Sequence, residues 1–174
     1  YRALFLACYA AGLRISEACS MRVEDIDSSR MVIRVRYAKG SKQRYTMLCP
    51  KLLEVLRVYW KIYRPPEWMF PGQGKSPHLC PDTARQVFRN ARDRAGLGRW
   101  CTPHSLRHSF ATHLLESGTQ LVVIQALLGH HNIRTTAVYT HVQTDHVAGL
   151  KSPLDAFDVE SLKRQDQKPR EGRS

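Results

Sequence analysis

The stretch Thr102-Pro103-His104-Ser105-Leu106-Arg107-His108-Ser109-Phe110-Ala111-Thr112-His113-Leu114-Leu115-Glu116 decides how this chain is read. Thr102 is a good helix N-cap, and Pro103 suits a first helical turn, where its missing N–H costs nothing. Leu106, Phe110 and Leu114 then recur at helical spacing and predict a buried stripe. His104 and Arg107 are three apart and share a face. With His108 they stand at the edge of the buried stripe, where a cleft can form. A solvated polar face has the same spacing, so this helix alone predicts an element and not a function.

Upstream, Tyr1 to Ala11 is almost wholly apolar or small, which predicts a buried helix ended by Gly12. Ser16 is placed to cap a short second helix to Arg22. Met31 to Ala38 alternates, with Ile33, Val35 and Tyr37 on one side and Arg34 and Arg36 on the other, as in a half-buried strand. Lys39-Gly40-Ser41 forms a turn, and Gln43 to Leu48, which includes Arg44, returns as its partner. Trp68-Met69-Phe70 is the candidate third strand. Pro50 opens a helix to Tyr63, stopped by Pro65-Pro66, and another spans Asp82 to Ala95. Downstream, Gln120 to Leu128 is a helix closed by Gly129. His130 lies in a turn, and Asn132 caps a last helix carrying Tyr139. The expected class is mostly α with a small antiparallel β-sheet, an α+β domain.

Lysine and arginine number 27 against 15 acids in 174 residues, a formal net charge of +12 and a pI near 9.9. Such a balance attracts polyanions and points to nucleic acid. Hydrophobic residues make up 43%, enough for a packed core and too many for a disordered chain. The five cysteines are odd in number and form no C-x-x-C pair, which argues against a disulfide framework or zinc ribbon and for a reducing cytoplasm. No apolar run approaches the ~20 residues that span a bilayer, so no membrane role is expected. The chain opens at Tyr1 within an apolar helical pattern, as expected of a piece of a longer protein.

Several residues carry chemistry. Arg14 sits in an apolar stretch, where a guanidinium needs an anion: a bound phosphate, or Glu17 or Glu24. Tyr139, if not simply a core aromatic, is a nucleophile. With a pKa of ~10 it is about one part in a thousand ionised near neutrality, a cost of roughly 4 kcal/mol that a base or clustered positive charge must offset. Gly72-Gln73-Gly74-Lys75-Ser76 looks like the end of a phosphate-binding loop. It lacks the leading glycine, where Met69 stands, and the following helix is pre-empted by Pro77, so ATP binding is rejected. His104 and His108 have metal-ligand spacing, but no third ligand follows, and zinc is set aside.

The strings Gly12-Leu13-Arg14-Ile15-Ser16-Glu17-Ala18, Lys39-Gly40-Ser41-Lys42, His104-Ser105-Leu106-Arg107-His108, Leu128-Gly129-His130 and Ala137-Val138-Tyr139-Thr140-His141 resemble, in order and spacing, the catalytic domain of the tyrosine recombinases, the phage integrase family, among them the Xer and integron integrases. The resemblance implies the recombinase catalytic-domain fold and a site-specific DNA recombinase that breaks and rejoins strands through a 3′-phosphotyrosyl intermediate. It implies Tyr139 as nucleophile and Arg14 and Arg107 on the non-bridging phosphate oxygens. His104 is then the candidate base, and His130 a donor to the phosphate or the phenol oxygen. Lys39 is the acid that protonates the leaving 5′ oxygen, with Lys42 its rival. Ala38 stands where many members have glycine. Glu17 would orient Arg14 or Lys39, while Lys42, Arg44, Arg34, Arg36 and His108 would bind DNA. No metal and no ATP cofactor is implied.

The partner the resemblance implies is double-stranded DNA, with a homo-tetramer of the full-length protein on it, a monomer for this chain alone, and a bacterial cytoplasmic, nucleoid-associated setting. Two alternatives are a type IB topoisomerase-like enzyme and a non-catalytic DNA-binding regulator derived from a recombinase. Residues 1–150 would form the catalytic domain, following a DNA-binding domain not present here. Residues 151–174 would be a tail with a short helix at about 152–162, disordered beyond it. Its Leu154 and Phe157 are expected to dock in a groove of a neighbouring protomer within the DNA-bound full-length assembly, and in this chain alone the expected alternatives are that the segment folds back on its own domain or is disordered.

Overall fold

The structure is a computed structural model, and it describes residues 1–36, 43–74, 76–129 and 151–156. The hairpin tip with Lys39 and Lys42, the segment with His130 and Tyr139, and Phe157 with the rest of the tail lie outside the described residues.

Helix α1 (Arg2–Ala10) is the centre of the fold. Its small and apolar residues Leu4, Ala7, Cys8 and Ala10 are fully buried, which lets neighbours approach closely. It packs against α2 (Ile15–Cys19), α3 (Pro50–Tyr63), α5 (Pro103–Glu116) and a single 3-10 turn at Pro153–Ala156. Helix α4 (Pro81–Arg94) lies against α2, and α6 (Leu121–Leu128) packs on α5 and on the sheet. The sheet has three antiparallel strands in the order β1 (Ile26–Asp27), β2 (Val32–Val35) and β3 (Arg44–Met47). The mostly α architecture with a small antiparallel sheet is the one expected.

The register pairs Ile33 with Thr46 and Val35 with Arg44. Directly opposed residues share a face, so Ile33, Val35, Thr46 and Arg44 all point to one side. Ile33 and Val35 join the main core around α1, while Val32 and Met47, on the other face, are buried with Phe110, Leu114, Ile124, Leu127 and Leu128. The strand is therefore covered on both faces rather than half-buried. The third strand is Ile26–Asp27, and Trp68 makes only an isolated bridge with Arg22. A two-residue strand is too short to show a periodicity, which is why the sequence pointed to Trp68–Phe70 instead.

Gly12 joins the two cores. It follows α1 with φ +63°, a left-handed conformation that glycine adopts without cost. A Cβ built there would stand 2.5 Å from Cδ1 of Phe110. Any side chain at position 12 would thus push α5 away from α1. Helix α2 begins at Ile15, not Ser16: the carboxylate of Glu17 accepts the Arg14 backbone N–H at 2.8 Å, so an acid at the third helical position fixes the start in place of a serine cap.

Residues 151–156 belong to the packed unit. Leu154 is 1% exposed and sits in the core of its own chain, which is the fold-back alternative for this chain alone; docking in a neighbour is the expectation for the DNA-bound assembly. Three polar contacts hold it there: the Ser152 hydroxyl donates to the carbonyl of Ala10, the Lys51 ammonium donates to the carbonyl of Asp155, and the Asp155 carboxylate accepts the Ser152 N–H. Truncating this side chain opens a cavity under α1 and α3. Leu154→Ala should lower unfolding stability by about 2–5 kcal/mol in denaturant titration. A change within ~0.5 kcal/mol, typical of a surface site, would show the segment to be unpacked.

Candidate active site

Four of the expected residues come together where α1 ends, α2 begins and α5 crosses them. Arg14 is the residue just before α2, Glu17 faces inward one turn later, and His104 and Arg107 lie in the first half of α5. Arg107 is 4% exposed. Its Nη1 donates to the carbonyl of Gly12 at 2.6 Å and its Nη2 to the carbonyl of Leu128 at 2.5 Å. Both acceptors precede or occupy a left-handed glycine, Gly12 and Gly129, whose turns aim these carbonyls inward instead of along a helix.

Glu17 is the hub. Its side chain is 9% exposed, and three guanidinium groups converge on it from three elements. Arg14 Nη1 donates at 2.9 Å, and Arg44 donates through both Nη1 and Nη2 at 2.8 and 2.9 Å. Arg107 Nη1 stands 3.7 Å away. Burial works against the ionised carboxylate, but the Arg44 fork and charge, together with the Arg14 backbone and side-chain bonds, outweigh it and hold the Glu17 pKa down to about 2. Three cations against one carboxylate leave the cluster with an excess of positive charge. The half-exposed Arg14, at 41%, carries that charge to the surface.

An open cleft of about 380 Å³ lies over this cluster. It is lined by Arg14, His104 and Arg107, and on its far wall by Arg85, Arg89 and Arg92 of α4. Among the described residues, no acidic side chain lines it. Such a lining suits a polyanion, and a phosphodiester above all, since guanidinium forks match its oxygens. The α4 arginines were missed in the sequence, although their spacing at positions 85, 89 and 92 puts them on one helix face. His108, one turn beyond His104, is exposed on α5.

Arg44 was expected on the DNA surface, and the structure places it elsewhere. It is 8% exposed, with Nε donating to the carbonyl of Leu127 at 2.8 Å and its fork on Glu17. The cause is strand register: facing Val35, it shares the inward side of the sheet. Arg34 and Arg36 are also engaged. Both donate through Nε to the buried Asp25, and Arg36 reaches Glu24 as well. These pairs brace β2 at its C-terminal end, so the two arginines serve the sheet first. Lys39, Lys42, His130 and Tyr139 fall outside the described residues. Among the described residues, no helix is long and apolar enough to cross a membrane.

With Arg107 bridging two buried carbonyls, a lysine cannot replace it. Arg107→Lys keeps the charge but reaches one acceptor, leaving the other unsatisfied. A stability loss of about 1–3 kcal/mol is expected in thermal or denaturant unfolding. Wild-type stability would mean that the two carbonyls do not depend on the fork.

Comparison with known proteins agrees with this geometry. The phage integrase family profile matches residues 1–146. An integrase/recombinase of Sinorhizobium fredii, y4qK, is 50% identical over 155 residues, covering 89% of this chain and 50% of its own. The tyrosine recombinase XerA of Thermococcus onnurineus is 40% identical, with 84% of this chain and 52% of the relative covered. Among solved structures, the XerH site-specific recombinase bound to its difH substrate in a pre-cleavage complex superposes with a TM-score of 0.65 at 29% identity, covering 86% of this chain and 44% of that one. The chain thus spans about half the length of these relatives.

Proposed function

The chain belongs to the phage integrase family, and from that premise we propose that it is the catalytic domain of a site-specific DNA recombinase with Tyr139 as its nucleophile. The observation that carries the proposal is the arginine-rich cleft in which Arg14, His104 and Arg107 meet over the ionised Glu17. In this reading the scissile phosphate lies across the cleft. Arg14 and Arg107 face its non-bridging oxygens, where negative charge grows as a fifth oxygen approaches phosphorus. The same positive charge lowers the cost of ionising the tyrosine.

His104, exposed at the cleft, takes the phenol proton, and His130 donates a hydrogen bond to the phosphate or phenol oxygen. The Tyr139 oxygen bonds to phosphorus as the bond to the 5′ oxygen breaks, and Lys39 gives that oxygen its proton. The result is a 3′-phosphotyrosyl bond and a free 5′-hydroxyl. Attack by the 5′-hydroxyl of a partner strand reverses the step and restores the tyrosine. One phosphodiester is exchanged for another of similar energy, so no ATP is consumed. Arg85, Arg89 and Arg92 continue the cationic wall and would hold the backbone beside the scissile phosphate. His108 and Lys42 are proposed as further DNA contacts. The protein would act as a tetramer of full-length chains on DNA in the bacterial cytoplasm, with this chain alone a monomer.

The test is covalent trapping on a nicked duplex, whose short 5′ fragment diffuses away and leaves the adduct stranded. The wild-type full-length protein should form a protein–DNA adduct in excess EDTA. Tyr139→Phe should form none, while binding the same duplex with unchanged affinity, because only the phenol oxygen is lost. An adduct with the Phe variant, or one that needs added metal, would contradict the proposal.

A further inference from the structure

Arg44 donates to three oxygens on two different elements, yet it does not line the cleft. We propose that Arg44 is a positioning residue for strand cleavage: its fork fixes the Glu17 carboxylate that orients Arg14 and Arg107, and its Nε fixes the end of α6. The proposal rests on the recombinase reading above and names a residue through which that site is assembled.

Two features of the geometry support it. First, the Glu17 carboxylate has two oxygens to be held, and Arg44 holds both, at 2.8 and 2.9 Å. A carboxylate clamped in this way cannot swing about its last bond. Its oxygens then present fixed acceptors to the Arg14 N–H and Nη1, and a fixed charge to Arg107. Second, Arg44 and Arg107 take successive carbonyls at the C-terminus of α6, those of Leu127 and Leu128. Two cations at a helix C-terminus also match its partial negative charge. Gly129 ends the helix there, and His130 is the next residue in the chain. Arg44 therefore links the place of the phosphate-facing arginines to the point from which the chain leaves toward His130 and Tyr139. Lysine has neither the fork nor the reach for three oxygens on two elements.

The groups facing Glu17 define what its loss would do. Arg14 approaches from the start of α2, Arg44 from β3, Arg107 from α5, and the buried Cys8 thiol from α1. Asp25, Arg34 and Arg36 share a small hollow with Glu17 but bond one another. With Arg44 removed, Glu17 stays buried and loses its strongest partner, so its pKa must rise.

The experiment measures single-turnover covalent attachment of the full-length protein to a nicked duplex at saturating DNA, from about pH 5 to pH 8. In wild type Glu17 is ionised throughout this range. Arg44→Gln should attach roughly 100-fold more slowly at neutral pH, as expected for misplaced reacting groups. DNA affinity should hold, and the rate should fall further toward the acid end as Glu17 protonates. That added acid limb should vanish in the Glu17→Gln/Arg44→Gln double variant, which has no carboxyl left to titrate. Arg44→Lys should fall between, without the limb. Thermal melting checks that each variant is folded. If Arg44→Gln does not fold, Arg44→Lys decides, and a wild-type rate in it overturns the proposal. A folded Arg44→Gln with wild-type rate and pH profile overturns it too, as does a defect that higher DNA concentration cures. Absence of any adduct from the wild-type protein would instead overturn the recombinase reading on which it rests.

Discussion

One carboxylate, Glu17, with a side chain only 9% exposed and surrounded by three guanidinium groups, is the interaction on which the rest of the site depends. Each arginine comes from a different element: Arg14 from the start of α2, Arg44 from β3 and Arg107 from α5. None of these elements packs its arginine without help, because a desolvated guanidinium needs an anion or several carbonyls. Glu17 supplies the anion, and the carbonyls of Gly12, Leu127 and Leu128 supply the rest. The same bonds that let the helices and sheet meet also leave positive charge in excess beneath an open cleft. Packing and phosphate recognition are therefore one arrangement, and a change that loosens one is felt in the other.

Much of this was legible in the sequence where the signals are short-ranged. Pro50, Pro103 and Gly129 mark helix ends through backbone chemistry that needs no tertiary partner, and α3, α5 and α6 begin and end as they indicate. Arg14, His104 and Arg107 were recognisable by spacing and do line one cleft. What was not legible depends on register and on distant partners. The direction of Arg44 follows from its pairing with Val35, and a hairpin loop of unspecified conformation leaves that pairing free to slip by a residue, which reverses every side chain. Arg34 and Arg36 read as DNA contacts, because Asp25, nine and eleven residues before them, joins them only once the sheet forms. Ser16 looked like a helix cap, but Glu17 sits one residue further into α2 and satisfies the Arg14 N–H instead. Leu154 read as a docking residue with its site left open, because its stripe has no partner nearby in the sequence; in this chain it packs in the core with α1, more than a hundred residues earlier.

The main consequence is electrostatic. A carboxylate that stays charged while buried keeps three arginines in place across the whole range of physiological pH, so the arginines' share of the positive face does not change with pH. Because the folded-state pKa of Glu17 is depressed, its contribution to stability is fully present above the ordinary value of 4.5 and is lost as pH falls toward about 2. The most direct test of this account is a carbon-13 titration of the Glu17 side-chain carboxyl by NMR in the folded protein. A midpoint near 2, or a signal still ionised when acid unfolds the chain, is the expected result. A midpoint at or above 4.5 would contradict the account, since such a carboxylate would not be held by the arginines around it.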